Sequence, residues 1–339
     1  MNAVGAFPRV GFIGLGNVGG KLAGSLQRNG FELVVRDLDA GAMAPFLEAG
    51  ASTAGSGAEL AELCDVMITC LPSPAAVASV LEGPDGVLAG FGSAGSAASA
   101  GSAGSGAKIW AEMSTTDHHE VRRLGALVEA AGGAAIDCPV SGGCHRAATG
   151  NISIFAGGER DTFEAILPLL VTMGRRILHT GPLGSASILK VVTNYLATAN
   201  LVSLCEALAT SQAAGMDLAT AYEAIRISSG NSFVHETESQ VILNGSRDIN
   251  FTMDLVCKDI GLFADIAAEH GLPLELSPVL VDVFADGAAR YGDREWSPNI
   301  IRRLEDATGR SITAPGFPAE IVDDEPEVPG AEVVVPRGT

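Results

Sequence analysis

VGFIGLGNVGGKLAGSLQRNGFELVVRD, residues 10–37, decides the fold. Val10 to Ile13 is a short β-type run that leads directly into Gly14-Leu15-Gly16-Asn17-Val18-Gly19. A helical pattern follows through Leu22, Leu26 and Gln27 and stops at Asn29-Gly30; a second strand, Leu33 to Val35, ends at Arg36-Asp37. In a chain with 42 glycines a lone G-x-G-x-x-G arises by chance. Strand, glycines, helix, strand and acid in that order are specific. The glycines allow a tight turn and bring a pyrophosphate close to the helix N-terminus, whose free N–H groups bind anions. Asp37 stands where a carboxylate accepts hydrogen bonds from ribose hydroxyls and repels a 2′-phosphate. The expected cofactor is therefore NAD, with NADP the lesser alternative because Arg36 is close enough to swing onto a phosphate. Gly14, Leu15, Gly16, Asn17, Val18, Gly19 and Asp37 are the first cofactor-binding candidates.

Strands and helices then alternate, as in a doubly wound parallel sheet, where ligands bind beyond the carboxyl ends of the strands. A short helix, Ala58 to Leu63, precedes a buried strand, Val66 to Cys70, which places Leu71 and Pro72 at that edge. Residues 89–107 are almost wholly Gly, Ala and Ser and read as a flexible loop expansion. A strand through Ile109 and Trp110 ends in Glu112-Met113-Ser114-Thr115, before a helix capped by Thr116 or Asp117. The strand Ala134 to Asp137 is followed by Cys138-Pro139-Val140-Ser141-Gly142-Gly143. Ser-Gly-Gly can present a hydroxyl and two backbone N–H groups to one small anion, as a substrate carboxylate requires. A strand at Ile152 to Phe155, a helix at Thr162 to Leu170 and a strand at Ile177 to His179 complete this domain.

Gly184 to Gln212 reads as one long helix with apolar residues on every side, which predicts a buried helix. It nevertheless carries Lys190 and, one turn on, Asn194 on the same face. A lysine at a helix start commonly reaches into water. A desolvated lysine instead titrates lower and suits proton transfer. Later stretches at Asp217–Ser228, Phe233–Leu243, Met253–His270 and Pro278–Arg290 read as helices, with Lys258-Asp259 inside the third on what is ordinarily a solvated face. The expected organisation is a disordered N-terminus (1–8), an α/β Rossmann-type domain (9–182), an all-helical domain (183–306) entered by the long helix, and a disordered acidic tail (307–339).

The formal net charge of −19 argues against nucleic acid or an anionic membrane as partner. The six cysteines form no C-x-x-C pair and, with the six histidines, no zinc-like spacing, so no metal site is expected. Free buried thiols and the lack of a charged, then apolar, N-terminal leader point to the cytoplasm. No run reaches about 18 uninterrupted apolar residues, so no membrane span is expected.

Four separated motifs resemble the β-hydroxyacid dehydrogenase family, the 3-hydroxyisobutyrate dehydrogenase-like enzymes, over residues 9 to about 305. They are VGFIGLGNVGGKLAGSLQRNGFELVVRDLD, then DCPVSGGCHRAATGNISIFAGG (137–158), GPLGSASILKVVTN and FTMDLVCKDIGL (251–262). The resemblance implies that Lys190 is the catalytic acid/base and that Asn194 helps hold the reacting oxygen. It implies that Ser141, Gly142 and Gly143 bind the substrate carboxylate, and that Leu71, Pro72, Ser114 and Thr115 contact the cofactor. Lys258 would close the site near nicotinamide and substrate. Ala186 replaces a usual glycine, Thr193 a frequent asparagine and Glu112 a common aspartate, while the 89–107 loop and the tail have no family counterpart. The expected function is reversible hydride transfer between NAD and a short 3-hydroxyacid with a small carboxylate-bearing substrate. The alternatives are a semialdehyde or sulfonated-aldehyde reductase of the same family, or a non-catalytic NAD-binding module. A homodimer or homotetramer is expected, with the active site between the two domains.

Overall fold

The structure, a computed structural model, describes residues 8–91 and 107–336. The expected disordered N-terminus lies outside the described residues except at Pro8, and the Gly/Ala/Ser loop lies outside them except at its two ends. Two compact units are present: Met1–Lys190 with Asp323–Thr339, and Val191–Val322.

The first unit runs β1 (Val10–Ile13), α1 (Gly19–Arg28), β2 (Leu33–Arg36), α2 (Ala40–Glu48), β3 (Ser52–Thr53), α3 (Gly57–Leu63), β4 (Val66–Thr69) and α4 (Pro74–Glu82). It continues through β5 (Ile109–Glu112), α5 (His118–Ala130), β6 (Ala134–Asp137), β7 (Val140–Ser141), α6 (Gly143–Ala148), β8 (Ile152–Gly157), α7 (Arg160–Met173), β9 (Gly174–Gly181) and the start of α8 (Ser185–Ala213). The strand β10 (Ala331–Glu332) returns to it from the C-terminal segment. The sheet order is β10-β9-β8-β6-β5-β4-β1-β2-β3, with β7 paired to β8. Strands β1 to β6 thus take the 3-2-1-4-5-6 order of a dinucleotide-binding sheet, parallel throughout.

Alternation along the strands divides the core into two layers. Val10, Phe12, Leu33, Val35, Val66 and Ile68 face the layer that holds Leu22 and Leu26 of α1 and Phe163 of α7. Ile13, Val34, Met67 and Trp110 face the opposite layer, with Leu60, Leu81, Leu124 and Val128 from α3, α4 and α5. Helices therefore cover both faces, as near-continuous apolar parallel strands require.

The second unit contains the rest of α8 with α9 (Leu218–Arg226), α10 (Phe233–Asn244), α11 (Met253–Glu269), α12 (Leu276–Tyr291) and α13 (Arg302–Thr308). Leu201, Leu204 and Leu208 of α8 share its core with Ile242, Met253, Val256, Ile260 and Phe284. The long helix is less enclosed than its sequence implies. Leu189 and Leu196 are exposed, and only 33% of its most apolar window is buried within the chain. By length and composition α8 is also apolar enough to cross a membrane, a property shared with core helices of soluble proteins.

The tail corrects an expectation. Residues 307–336 are ordered in two stretches, and only 337–339 lie outside the described residues. Within the second unit, Asn244 Nδ2 donates to Phe317 O (2.8 Å) and Ser246 Oγ to Ala319 O (2.6 Å). In the first unit, Asn151 Nδ2 donates to Asp323 Oδ2 (2.8 Å) and Glu325 O (2.9 Å), and the Thr149 hydroxyl also donates to Asp323. Glu327 pairs with Arg28, and Glu332 takes both arms of Arg160 at 2.6 and 2.9 Å. Gly330 fits because a Cβ there would stand 1.9 Å from Gly174 O. Three of the acids that suggest disorder by composition, Asp323, Glu327 and Glu332, are matched to donors on the first unit.

Deleting residues 323–339 should lower the thermal midpoint. Loss of Asp323 and Glu325 takes two hydrogen bonds from the Asn151 amide, worth about 1–3 kcal/mol together, or roughly 2–12 °C for a domain of this size. A differential scanning measurement in which the truncated chain melts with the full one would show that the tail merely lies on the surface.

Candidate active site

One register row lays out the ligand edge. Arg36, Ile13, Thr69, Glu112 and Asp137 lie side by side across β2, β1, β4, β5 and β6. Immediately beyond them come Asp37, Gly14, Cys70-Leu71-Pro72, Met113-Ser114-Thr115 and Cys138. The first-unit residues expected to contact a dinucleotide are thus brought to one edge of one sheet.

The three motif glycines do different things. Gly14 has φ +96°, and a Cβ there would meet Cys70 O at 2.3 Å. A Cβ on Gly19 would stand 2.0 Å from Gly14 O, so this residue sets how closely α1 packs against the turn. Gly16 differs, because a Cβ there would meet nothing within 4 Å. Nothing around it in the chain requires glycine, and the open space is what close approach of a pyrophosphate needs. Among the described residues no side chain caps the N-terminus of α1, which leaves its first N–H groups for an anion.

Asp37 closes the cradle from the side. Its Oδ2 accepts from the Leu15 N–H at 2.6 Å and its Oδ1 from the Asp39 N–H at 2.9 Å. Arg36 is turned away, with Nη1 donating to Ala54 O at 2.9 Å. The open space at Gly16, the uncapped helix start and the Asp37 carboxylate together fit a dinucleotide with free ribose hydroxyls.

A buried polar chain supports the middle of the edge. Trp110 Nε1 donates to Thr69 Oγ1 (2.8 Å), whose hydroxyl donates to Glu112 Oε2 (2.6 Å). Glu112 Oε1 accepts from the Ser114 N–H (2.6 Å), and Ser114 Oγ accepts from the Leu71 N–H (2.7 Å). Burial pushes Glu112 up to about 7, against the lowering by its bonds to Ser114 and Thr69. Ser114 is therefore held by the loop after β4 as well as by its own strand, and Thr115 follows it half-buried, ahead of the Asp117 cap of α5.

The Ser-Gly-Gly segment is strained in the way its sequence demands. Ser141 ends β7, paired with Ser153 of β8, and Gly142 and Gly143 follow with φ of +131° and +85°. Two successive residues in the left-handed half of the map favour glycine. Their N–H groups open α6, which has no side-chain cap.

Lys190 lies in the second turn of α8 and is only 8% exposed, so it does not reach out into water. In the second unit, Asn194 Nδ2 donates to Asp259 Oδ2 at 2.5 Å, and Lys258 Nζ lies 2.7 Å from Asp259 Oδ1. Asp259 is 1% exposed, which corrects the reading of Lys258-Asp259 as a solvated face. It binds both expected site residues of this unit and turns the Asn194 carboxamide so that its oxygen points elsewhere. The sequence does carry the signal. Asp259 falls three residues after Val256 and one before Ile260, on the buried stripe of α11.

Comparison with known proteins places both units. Residues 9–181 match the model of the NAD binding domain of 6-phosphogluconate dehydrogenase, and residues 184–304 match the NAD-binding domain model of NADP-dependent 3-hydroxyisobutyrate dehydrogenase. The 2-(hydroxymethyl)glutarate dehydrogenase of Eubacterium barkeri is 31% identical over 90% of this chain and 97% of its own length. The mitochondrial 3-hydroxyisobutyrate dehydrogenase of Mus musculus is 31% identical over 85% of this chain and 84% of its own. Among solved structures, 3-hydroxyisobutyrate dehydrogenase of Mycobacterium tuberculosis with L-serine superposes with a TM-score of 0.75 at 26% identity, covering 88% of this chain and 99% of that one.

Gly16→Ala should separate binding from folding. With open space around the new methyl, stability should change by no more than about 0.5 kcal/mol. NAD affinity, read by quenching of protein fluorescence, should fall by about tenfold or more, a loss near 1.4 kcal/mol. Gly19→Ala should instead destabilise the fold by roughly 1–3 kcal/mol through overpacking. Equal NAD affinity in Gly16→Ala and the parent would remove the cradle from the site.

Proposed function

Because the chain belongs to the family of 3-hydroxyisobutyrate dehydrogenase-like β-hydroxyacid dehydrogenases, we propose that it oxidises a short-chain 3-hydroxyacid reversibly to the semialdehyde or keto acid, with NAD as partner. It is an oxidoreductase of CH–OH groups that carries a nicotinamide dinucleotide-binding domain. The observation that carries the reading is Lys190, a buried amine one turn into α8, in a chain whose first unit holds an open dinucleotide cradle.

Gly14 to Gly19 would hold the pyrophosphate, Asp37 the adenosine ribose, and Leu71, Pro72, Ser114 and Thr115 the part of the cofactor over the sheet edge. Bound there, NAD supplies the hydride acceptor. Ser141 and the N–H groups of Gly142 and Gly143 would take the substrate carboxylate and so fix the hydroxyl-bearing carbon. In oxidation, neutral Lys190 removes the hydroxyl proton as the carbonyl forms. In reduction, the same Nζ as an ammonium returns that proton to the developing alkoxide. The family resemblance assigns Asn194, its amide turned by Asp259, to the reacting oxygen and Lys258 to the substrate. Preference for NAD over NADP rests on the Asp37 carboxylate and on Arg36 being tied to Ala54.

The apolar side chains that α8 leaves exposed, Leu189 and Leu196, with Leu276 and Val279 of α12, fit burial against a second copy. A solution mass of two or four times 34.5 kDa supports that assembly, and a monomer at 34.5 kDa overturns it.

The decisive assay follows nicotinamide absorbance with a panel of small hydroxyacids, using NAD and then NADP. Turnover should appear with NAD, be weaker with NADP, and fall by about 10²–10⁴-fold in Lys190→Ala. Unchanged turnover in that variant sinks the role of Lys190. Reduction of aldehyde acids by NADH without any hydroxyacid oxidation would favour the semialdehyde reductase reading. Silence in both directions with NAD still bound would leave a non-catalytic module.

A further inference from the structure

Asp137, the last residue of β6, does not behave as an ordinary strand end. It is fully buried, and its carboxylate reaches the start of α8. The Gly184 N–H donates to Oδ1 at 2.8 Å, the Ser187 N–H to Oδ2 at 2.6 Å and the Ser187 hydroxyl to Oδ2 at 2.7 Å. Together these bonds take up the Gly184 and Ser187 N–H groups at the start of a 29-residue helix from a strand far away in sequence.

The surroundings leave little freedom. A Cβ on Gly157 of β8 would stand 2.5 Å from Asp137 Oδ1, 2.8 Å from Ser185 Oγ and 2.9 Å from the Ala186 nitrogen, so glycine lets the helix start seat against the sheet. Thr180 of β9 and Ser185 share a hydrogen bond at 2.6 Å on the other side. Strands β6, β8 and β9 thus hold the first turn at once. Ser187 and Lys190 are three residues apart and lie on one face of α8. The bond that fixes Ser187 therefore also fixes the direction in which Lys190 leaves the helix.

We propose that Asp137 is a positioning residue for the reaction: it caps α8 from the sheet and locks the aim of Lys190 relative to the Ser141-Gly142-Gly143 segment that follows it in the chain. The inference rests on the reading of Lys190 as the proton carrier. One carboxylate joins the strand that leads to the carboxylate-binding segment to the helix that bears the acid/base.

Asp137→Asn keeps the shape, removes one acceptor oxygen and sets an amide N–H₂ against a backbone donor. It should lower kcat by about tenfold to 10²-fold, the size expected for a misplacement near 1 Å. The KM for NAD should stay within about twofold, since the cradle at Gly14 to Gly19 is untouched. Ser187→Ala, which removes one bond of the three, should shift the same quantities in the same direction by less, and it keeps the test alive if Asp137→Asn does not fold. Two results overturn the proposal: kcat unchanged in a folded variant, or a fall in kcat with the KM for NAD rising in parallel, as general loosening gives. Full activity in Lys190→Ala would instead strike the reading beneath it, a distinct failure seen before either variant is measured.

Discussion

The approach of α1 to the turn after β1 is the constraint on which the rest of the first unit depends. Gly14 must take a positive φ beneath Cys70, and Gly19 must bring helix backbone against the Gly14 carbonyl where no side chain fits. With those contacts made, the amino end of α1 is delivered to the sheet edge without a cap of its own. Parallel pairing then copies the level of that edge from strand to strand, so that Thr69, Glu112 and Asp137 end in one row. Chemistry assembles there because parallel strands finish together and their helices begin together.

Buried carboxyl groups inside the protein act as connectors. Glu112 joins the ends of β4 and β5 to Ser114 and, through it, to Leu71. Asp137 joins β6 to α8, and Asp259 joins α11 to α8 within the second unit. Each is buried, and each carries hydrogen bonds that offset the cost of burial. The groups they hold, Ser114, Lys190 and Asn194, are those expected to face cofactor or substrate. The burial that lifts Glu112 towards neutrality also makes its bonds hard to exchange with water.

The parts of this fold that were legible are those governed by short-range rules. The β1–α1–β2 unit and its acid follow from glycine positions and alternation, and the long helix follows from its length and lack of proline. The positive-φ glycines after Ser141 and the buried Lys190 stand at the positions where the motifs were read. Helix α4 escaped although Ser73 caps it and Pro74 opens it, a start signal present in plain order. Helix α2 has Pro45 in its interior, which masks its period. Strand β7 and helix α6 are too short for periodicity to register. Asp137 and the tail were illegible for a different reason. What defines them is a partner far away in sequence, and composition reads the run of acids after Val322 as repulsive when Asn151, Arg28 and Arg160 stand ready to receive it.

The pairing of β10 with β9 has a consequence for how the protein is made. The whole of Val191–Val322 is translated between these two partners. The nascent sheet therefore waits, with the edge of β9 open, while the helical unit emerges at about 5–20 residues per second. An open edge strand is a template for foreign chains. Closure of such a long loop costs entropy that grows only slowly with its length, so the late arrival of β10 is tolerable thermodynamically. It is vulnerable kinetically: the interval before β10 docks is when a neighbouring nascent chain can take its place.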